Sequence, residues 1–343
     1  MNGWYFIQGI HRSGTTILGT WLQETGVFRT LTLKDYITIL EDPARYPMFD
    51  IVRRGAEPHL RKLKERMGPL TREFDNIRVD QGTFEEFAHL TMNEPPFTRP
   101  WRIFAHRKPW SQFNPKYVYK IGPENIERLK ALSRILGQGD TRPQLYKNPF
   151  DVANPFVYGL EAKHIFIFRN PVDILNSMIG QVLGNYRRRN LYVSATSRFY
   201  RESFRSPWYR AISRYGPKTL PGVRVLAYRV ISELRTQMDL LESLDPGRYV
   251  CVDYDYMCQD ENLAQGEEHP HRDHAIEHIL RRFDLDRSGI RNIRSRPTPR
   301  NSQFPPAVLK LKPSIEEKLG RYYEKMFQVR KMLAEEFSTD RRS

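Results

Sequence analysis

The sequence is short of cysteine, of long apolar runs and of repetition, and each shortage narrows what the chain can be. Only two cysteines occur in 343 residues, Cys251 and Cys258. They stand too far apart for a C-x-x-C pair, so both read as reduced residues of an apolar strand and a helix. No stretch approaches the roughly 18 apolar residues of a membrane-spanning helix. A mean hydropathy of −0.63 with 39% hydrophobic residues describes a soluble protein. The N-terminus runs at once into a strand pattern, so no signal peptide is expected and a cytoplasmic protein is. No internal repeat or low-complexity tract is visible, and the length suits one large α/β domain with insertions. Positive charge, by contrast, is plentiful: 55 Lys and Arg against 40 Asp and Glu, a net +15. Such a surplus fits a polyanionic ligand, an anionic acceptor, nucleic acid or a membrane surface, and does not choose among them.

The stretch from Trp4 to Leu22, WYFIQGIHRSGTTILGTWL, organises the rest. Trp4 to Ile7 has the apolar, aromatic make-up of a buried strand. Gly9 to Gly14 is a turn with glycine at both ends and Arg12 and Ser13 inside it. From Thr15 onward Ile17, Leu18, Trp21 and Leu22 fall on one helical face. Strand, glycine-bounded turn and helix together aim backbone N–H groups and a helix dipole at an oxyanion. Arg12 adds a cationic fork, while Ser13, Thr15 and Thr16 add hydroxyls. The loop of nucleotide triphosphatases carries lysine after its second glycine; here Thr15 holds that place and the cation sits at Arg12.

These residues, G-x-x-R-S-G-T-T before an apolar helix, resemble the 5′-phosphosulfate loop of sulfotransferases. The resemblance implies 3′-phosphoadenosine 5′-phosphosulfate (PAPS) as donor, with Arg12, Ser13, Gly14, Thr15 and Thr16 around its phosphosulfate. It implies a P-loop-like parallel sheet flanked by helices, with a largely helical or irregular insertion. A second block supports it. Gln144–Lys147 reads as a short strand halted by Asn148-Pro149, similar to the family's K-[DN]-P element, in which lysine faces the transferring group. Lys147 is then a catalytic candidate. The run His164–Phe168 is near-continuously apolar, as in the middle of a parallel sheet, and ends at Arg169-Asn170-Pro171. Arg169 and Ser177, eight positions apart, match the family's 3′-phosphate element, in which arginine at a strand end and serine two turns along a helix grip one phosphate.

The remaining assignments are looser. After Thr25-Gly26-Val27, the stretch Thr30–Tyr36 reads as a second strand ending near Lys34-Asp35, where related enzymes carry a carboxylate base. Asp35 is the candidate for that base, with Glu41, Asp42 and His106 as alternatives and a helix-capping role for Asp35 standing beside them. Residues 1–343 read as one domain in which 43–143 form an acceptor-binding insertion or lid. Its proline- and aromatic-rich part, 94–120, and the basic stretch 181–215 with Arg187-Arg188-Arg189 are candidate acceptor walls or plain packing. The strand Tyr249–Val252 ends at Asp253-Tyr254-Asp255-Tyr256, similar to a strand end of the family that reads as structural. His269, His271, His274 and His278 lie on an exposed helix, and no pattern completes a metal site. Arg300 and Asn301, in a proline-broken basic stretch, are candidates to close over the nucleotide, and a helix near Ile315–Phe337 closes the fold.

The resemblance implies sulfuryl transfer to a hydroxyl, with a carbohydrate or glycolipid acceptor favoured and no metal required. A P-loop kinase is the first rival, but it needs the missing lysine and a magnesium-binding aspartate. A basic nucleic-acid-binding protein is the second, and it leaves the two strand-to-helix junctions unexplained. Acceptor identity and oligomeric state are not legible in the sequence.

Overall fold

The structure is a computed structural model describing residues 3–10, 12–29, 140–148, 162–188, 215–259, 269–297 and 303–340, without side chains for 146–148 and 181–188. Its centre is a four-stranded sheet, β1 Trp4–Gln8, β2 Gln144–Asn148, β3 Ala162–Phe168 and β4 Tyr249–Asp253, in the order β2-β1-β3-β4. Every pairing is parallel. A parallel sheet needs crossovers that cover both faces, so its inner strands are apolar throughout instead of alternating. All five residues of β1 are buried, as are Ile165, Phe166, Ile167 and Phe168 of β3. The predicted α/β class and both inner strands are therefore found, each one or two residues longer than the apolar run alone suggests.

Six helices of ten or more residues are described, α1 Thr15–Glu24, α2 Pro171–Arg188, α3 Leu220–Ser243, α4 Pro270–Arg282, α5 Pro306–Lys318 and α6 Gly320–Asp340, beside a single helical turn at Tyr254–Met257. On α1 the predicted face holds: Leu18, Trp21 and Leu22 are fully buried and Ile17 packs against the core. On α2, Ile174, Leu175, Met178 and Ile179 point inward as expected. One sheet face, carrying Tyr5, meets α4 edge-on at Phe283, with ring centroids 5.3 Å apart. The other meets α6, where Tyr322 lies 5.1 Å from Phe168. The closing helix is two helices, α5 and α6, hinged at Leu319. Cys251 and Cys258 are buried and unbridged.

The histidine-bearing helix α4 departs from expectation, because its histidine face is not exposed. His274 is 6% exposed and bonds Tyr256 Oη through Nδ1 at 3.1 Å; His278 Nδ1 lies 2.9 Å from Glu336 on α6. Two histidines one turn apart make a contact ridge for α6, which the charged flanks of the sequence concealed.

A third buried histidine sets a pH response. His164 on β3 is fully buried, stacked on Phe6, and accepts at Nδ1 from Gln8 Nε2, 3.1 Å away. Burial, aided by the Arg248 charge, lowers its pKa to about 3. Burial also lowers the pKa of His274 and of His278, outweighing their carboxylate neighbours. The unfolded chain takes up these protons from about pH 6.5 downward while the fold does not, so stability is full above that pH and declines below it. Each such histidine contributes a limiting slope of about 1.4 kcal/mol per pH unit. Urea midpoints should fall between pH 7 and pH 5, and less steeply in His164→Leu; equal slopes would show that His164 is not the group titrating.

Candidate active site

In a sheet ordered β2-β1-β3-β4 the chain leaves β1 to one side for β2, then returns to its other side for β3. The crevice between the carboxyl ends of β1 and β3 is a topological switch point, where open α/β sheets bind ligands. Arg12 follows β1 into this crevice and Arg169 follows β3 into it. Two guanidinium groups thus come from opposite sides to one place.

The loop after β1 is built by sterics. Gly14 has φ +102°, and a Cβ there would lie 2.2 Å from the Tyr254 ring, so only glycine fits. A Cβ on Gly9 would meet Ser13 Oγ at 2.6 Å and Ile167 Cγ2 at 2.7 Å. Arg12 is itself left-handed, with φ 73°, an uncommon state that positions strained loops at functional sites. Ser13 is fully buried, and both its hydroxyl (2.7 Å) and its N–H (3.1 Å) donate to Ile10 O. Its proton is therefore committed to bracing the turn, a different task from the ligand donor the sequence suggested. Thr15 is buried beneath Gly9, and Thr16 is exposed at the start of α1. The first-turn N–H groups of α1 lack intrahelical partners, as in any helix, and face outward from its positive end.

The two predicted anion sites meet directly. Arg12 Nε donates to Ser177 Oγ at 2.9 Å, and Arg169 Nη1 donates to the backbone oxygen of Arg12 at 2.7 Å. Ser177, accepting from Arg12, keeps its own O–H proton for a further acceptor. Arg169 is held from below by Tyr254, whose ring centroid is 4.4 Å from the guanidinium carbon. Its main chain is gripped as well: Arg169 N–H donates to Tyr322 Oη, and Tyr322 O–H donates to Arg169 O, each at 3.1 Å. Arg169 Nε is buried with no hydrogen-bond partner among the described residues.

Although Arg12 keeps an exposed surface, the protein packed around its guanidinium and the neighbouring Arg169 charge both lower its pKa, and a guanidinium remains charged at any physiological pH. Neither guanidinium forms an ion pair with a carboxylate among the described residues. Two adjacent cations without counter-charge are costly unless an anion joins them. The site can accordingly hold a doubly charged or branched anion, with Arg12, Ser177, Arg169 and the α1 N-terminus as its donors. Among the described residues no group of three or more His, Cys, Asp or Glu is placed to hold a metal ion, and no helix is long and apolar enough to cross a membrane.

Other predicted site residues fall elsewhere. Lys147 sits on β2 with its backbone beside Ile7 of β1, and its side chain is outside the described residues. Asp35, Glu41, Asp42, His106, Arg300 and Asn301 lie outside them too, as do nearly all of 43–143, all of 94–120, and 189–214. The chain on either side of Arg300 and Asn301 is nonetheless tied to the fold, on one side at the crevice. Gln303 O accepts from Asn176, next to Ser177, at the crevice, while Ser295 is held at the far end of α1, accepting at its backbone oxygen from Trp21 Nε1 (2.8 Å) and donating through its N–H to Glu24 (3.0 Å). Sequence reading missed Tyr254 and Tyr322 as supports of Arg169. Tyr254 had a signal in the strand-end motif; Tyr322 shows only helical periodicity.

No family model matches the chain, and a search of curated proteins found no match. Among solved structures the chain is similar to sulfotransferase STF9 from Mycobacterium avium. The TM-score is 0.54 at 13% identity, covering 94% of this chain and 76% of that one. It also matches the sulfotransferase domain from the curacin biosynthetic pathway (TM-score 0.40, 12% identity, 93% of this chain and 98% of that one). A sulfotransferase from Alicyclobacillus acidocaldarius gives 0.34 at 15% identity, over 64% and 83%. The likeness to STF9 shows a shared fold, that of a sulfotransferase; the other two superpose too loosely to bear on it.

Proposed function

We propose that the chain is a sulfotransferase that moves a sulfuryl group from PAPS to a hydroxyl of an acceptor, with a carbohydrate or glycolipid favoured. The observation that carries this is the pair of guanidinium groups, Arg12 and Arg169, converging without counter-charge on the switch-point crevice. A nucleotide bearing phosphate at one end and phosphosulfate at the other supplies two anions to two cations. Arg12, Thr16 and the N-terminal N–H groups of α1 take the phosphosulfate; Arg169 and Ser177 take the 3′-phosphate. Arg300 and Asn301 belong to the same nucleotide site in this reading.

In the reaction the acceptor oxygen attacks sulfur, and the bond from sulfur to the bridging phosphate oxygen breaks. The hydroxyl proton passes to Asp35, and the leaving phosphate oxygen gains its charge beside Lys147 and Arg12. As in phosphoryl transfer, the protein contributes in-line positioning and charge stabilisation more than covalent chemistry. Asp35 is proposed from its distance along the chain: it lies six residues beyond Arg29, whose backbone bridges in parallel to Gln144 at the start of β2. The span 43–143 is proposed as the acceptor-binding insertion of a single domain, in a cytoplasmic protein.

The test is a thermal-shift comparison of adenosine 3′,5′-bisphosphate with ATP and GTP, each with and without magnesium. A metal-independent rise confined to the bisphosphate is expected; a magnesium-dependent rise with ATP would point to a kinase instead. Arg169→Ala should weaken bisphosphate binding about 10- to 100-fold, the worth of one or two hydrogen bonds to a charged group. Unchanged affinity by calorimetry would remove Arg169 from the site.

A further inference from the structure

We infer that Tyr254 is a positioning residue for Arg169, and that through it the ring sets the site's preference for a nucleotide carrying a second phosphate. This rests on the proposed donor site and deepens it. Tyr254 follows β4 directly, is 5% exposed, and touches the other two strand ends of the crevice. Its ring lies flush against the backbone of Gly14, where a Cβ would stand 2.2 Å from Cδ2 and 2.7 Å from Cε2. The Arg169 guanidinium lies over the same ring, 4.4 Å from its centroid, well inside the distance at which the negative ring face attracts a cation.

The other contacts of Arg169 leave its planar group a choice that the ring settles. Tyr322 fixes the Arg169 main chain and only the main chain. The single hydrogen bond from the guanidinium runs from Nη1 to Arg12 O at 2.7 Å, and Nε has no partner among the described residues. One bond allows the plane to turn about its own axis. A flat aromatic surface 4.4 Å beneath its carbon restricts that turning, because the ring face holds the cation against it. With the plane restricted, Nη1 is spent on Arg12 O and the other terminal nitrogen is held for a ligand. Since the ring is anchored on Gly14, the geometry of the β3 arginine is tied to that of the loop after β1.

The proposed contact is made by the ring face, so the experiment varies the ring's electrons while keeping its shape. Calorimetric affinities for adenosine 3′,5′-bisphosphate and adenosine 5′-monophosphate would be measured for the wild type, Tyr254→Phe, its mono-, di- and trifluorinated phenylalanine analogues, and Tyr254→Leu. Phenylalanine should match the wild type. Affinity for the bisphosphate should fall stepwise with fluorination, to about tenfold at the end of the series, while that for the monophosphate stays constant. Tyr254→Leu, if folded, should lose the same selectivity, and should add nothing to Arg169→Ala in the double variant. A flat fluorine series would overturn the role of the ring. Equal loss of both nucleotides would overturn it too, marking general damage to the Gly14 loop. Failure of the wild type to bind either nucleotide would overturn the donor reading itself, a result distinct from both.

Discussion

Arg12→Ala should lower sulfuryl transfer by about 10²-fold or more, the usual consequence of removing a donor aimed at charge that develops in the transition state. The expectation depends on where the side chain stands. Arg12 is exposed and, among the described residues, its one side-chain hydrogen bond is to Ser177 Oγ, so little of the fold depends on it. Its backbone oxygen, which holds Arg169, survives the substitution, and alanine and arginine face a similar penalty at φ 73°. Loss of activity should therefore come with an almost unchanged unfolding temperature. Transfer of labelled sulfate from PAPS into an acceptor fraction that the wild type labels is the measurement. Arg12→Lys should fall between the two, because an ammonium keeps the charge and loses the planar fork. If the alanine variant retained more than about a third of the activity, Arg12 would not act in the transition state.

The largest effect on stability is expected from Arg330→Met. Asp253, at the carboxyl end of β4, is fully buried and receives two hydrogen bonds from Arg330, at 2.9 and 3.1 Å, while Arg330 also reaches Asp255 at 2.9 Å. Burial pushes the Asp253 pKa up to about 6 even against the pull of Arg330. Removing the arginine leaves a buried carboxylate with one remaining donor among the described residues, Tyr256 N–H at 2.7 Å, and should cost about 3–5 kcal/mol near neutral pH. The sign of the pH dependence follows. A carboxyl whose folded pKa is raised favours the fold below its unfolded value near 3.9, and that contribution is lost as pH rises through about 6. The Arg330→Met defect should thus be milder at pH 5 than at pH 8 by urea denaturation, and Asp253→Asn should recover part of it. A defect independent of pH would mean that packing, not the orphaned charge, is responsible.

How much of this was legible in the sequence depends on the range of the interaction. The strands β1 and β3 and the helix α1 declare themselves because their apolar residues are contiguous or helically spaced, and a parallel core demands that pattern. Arg12 and Arg169 were readable because glycine and proline punctuate the strand ends beside them. Ser13 was misjudged in detail: its residue type is right for a donor, but a tight turn consumes the hydroxyl at Ile10 O. The histidines of α4 were taken for an exposed face because neighbouring charges dominate the local composition; only the docking of α6 shows otherwise. Tyr322 lies 153 positions from the residue it clamps, and no local pattern encodes such a pairing. The Arg330–Asp253 pair, 77 positions apart, was hidden for the same reason.

That long-range clamp has a consequence for how the protein comes into being. On the ribosome β1 emerges early yet waits for β3 before its second flank is paired, and Arg169 waits longer still for Tyr322. A nascent chain released before α6 carries both arginines but not the hydroxyl that seats one of them. Nucleotide capture should consequently switch on late in synthesis and all at once, which makes ligand-dependent protease resistance a direct clock for the maturation of this molecule.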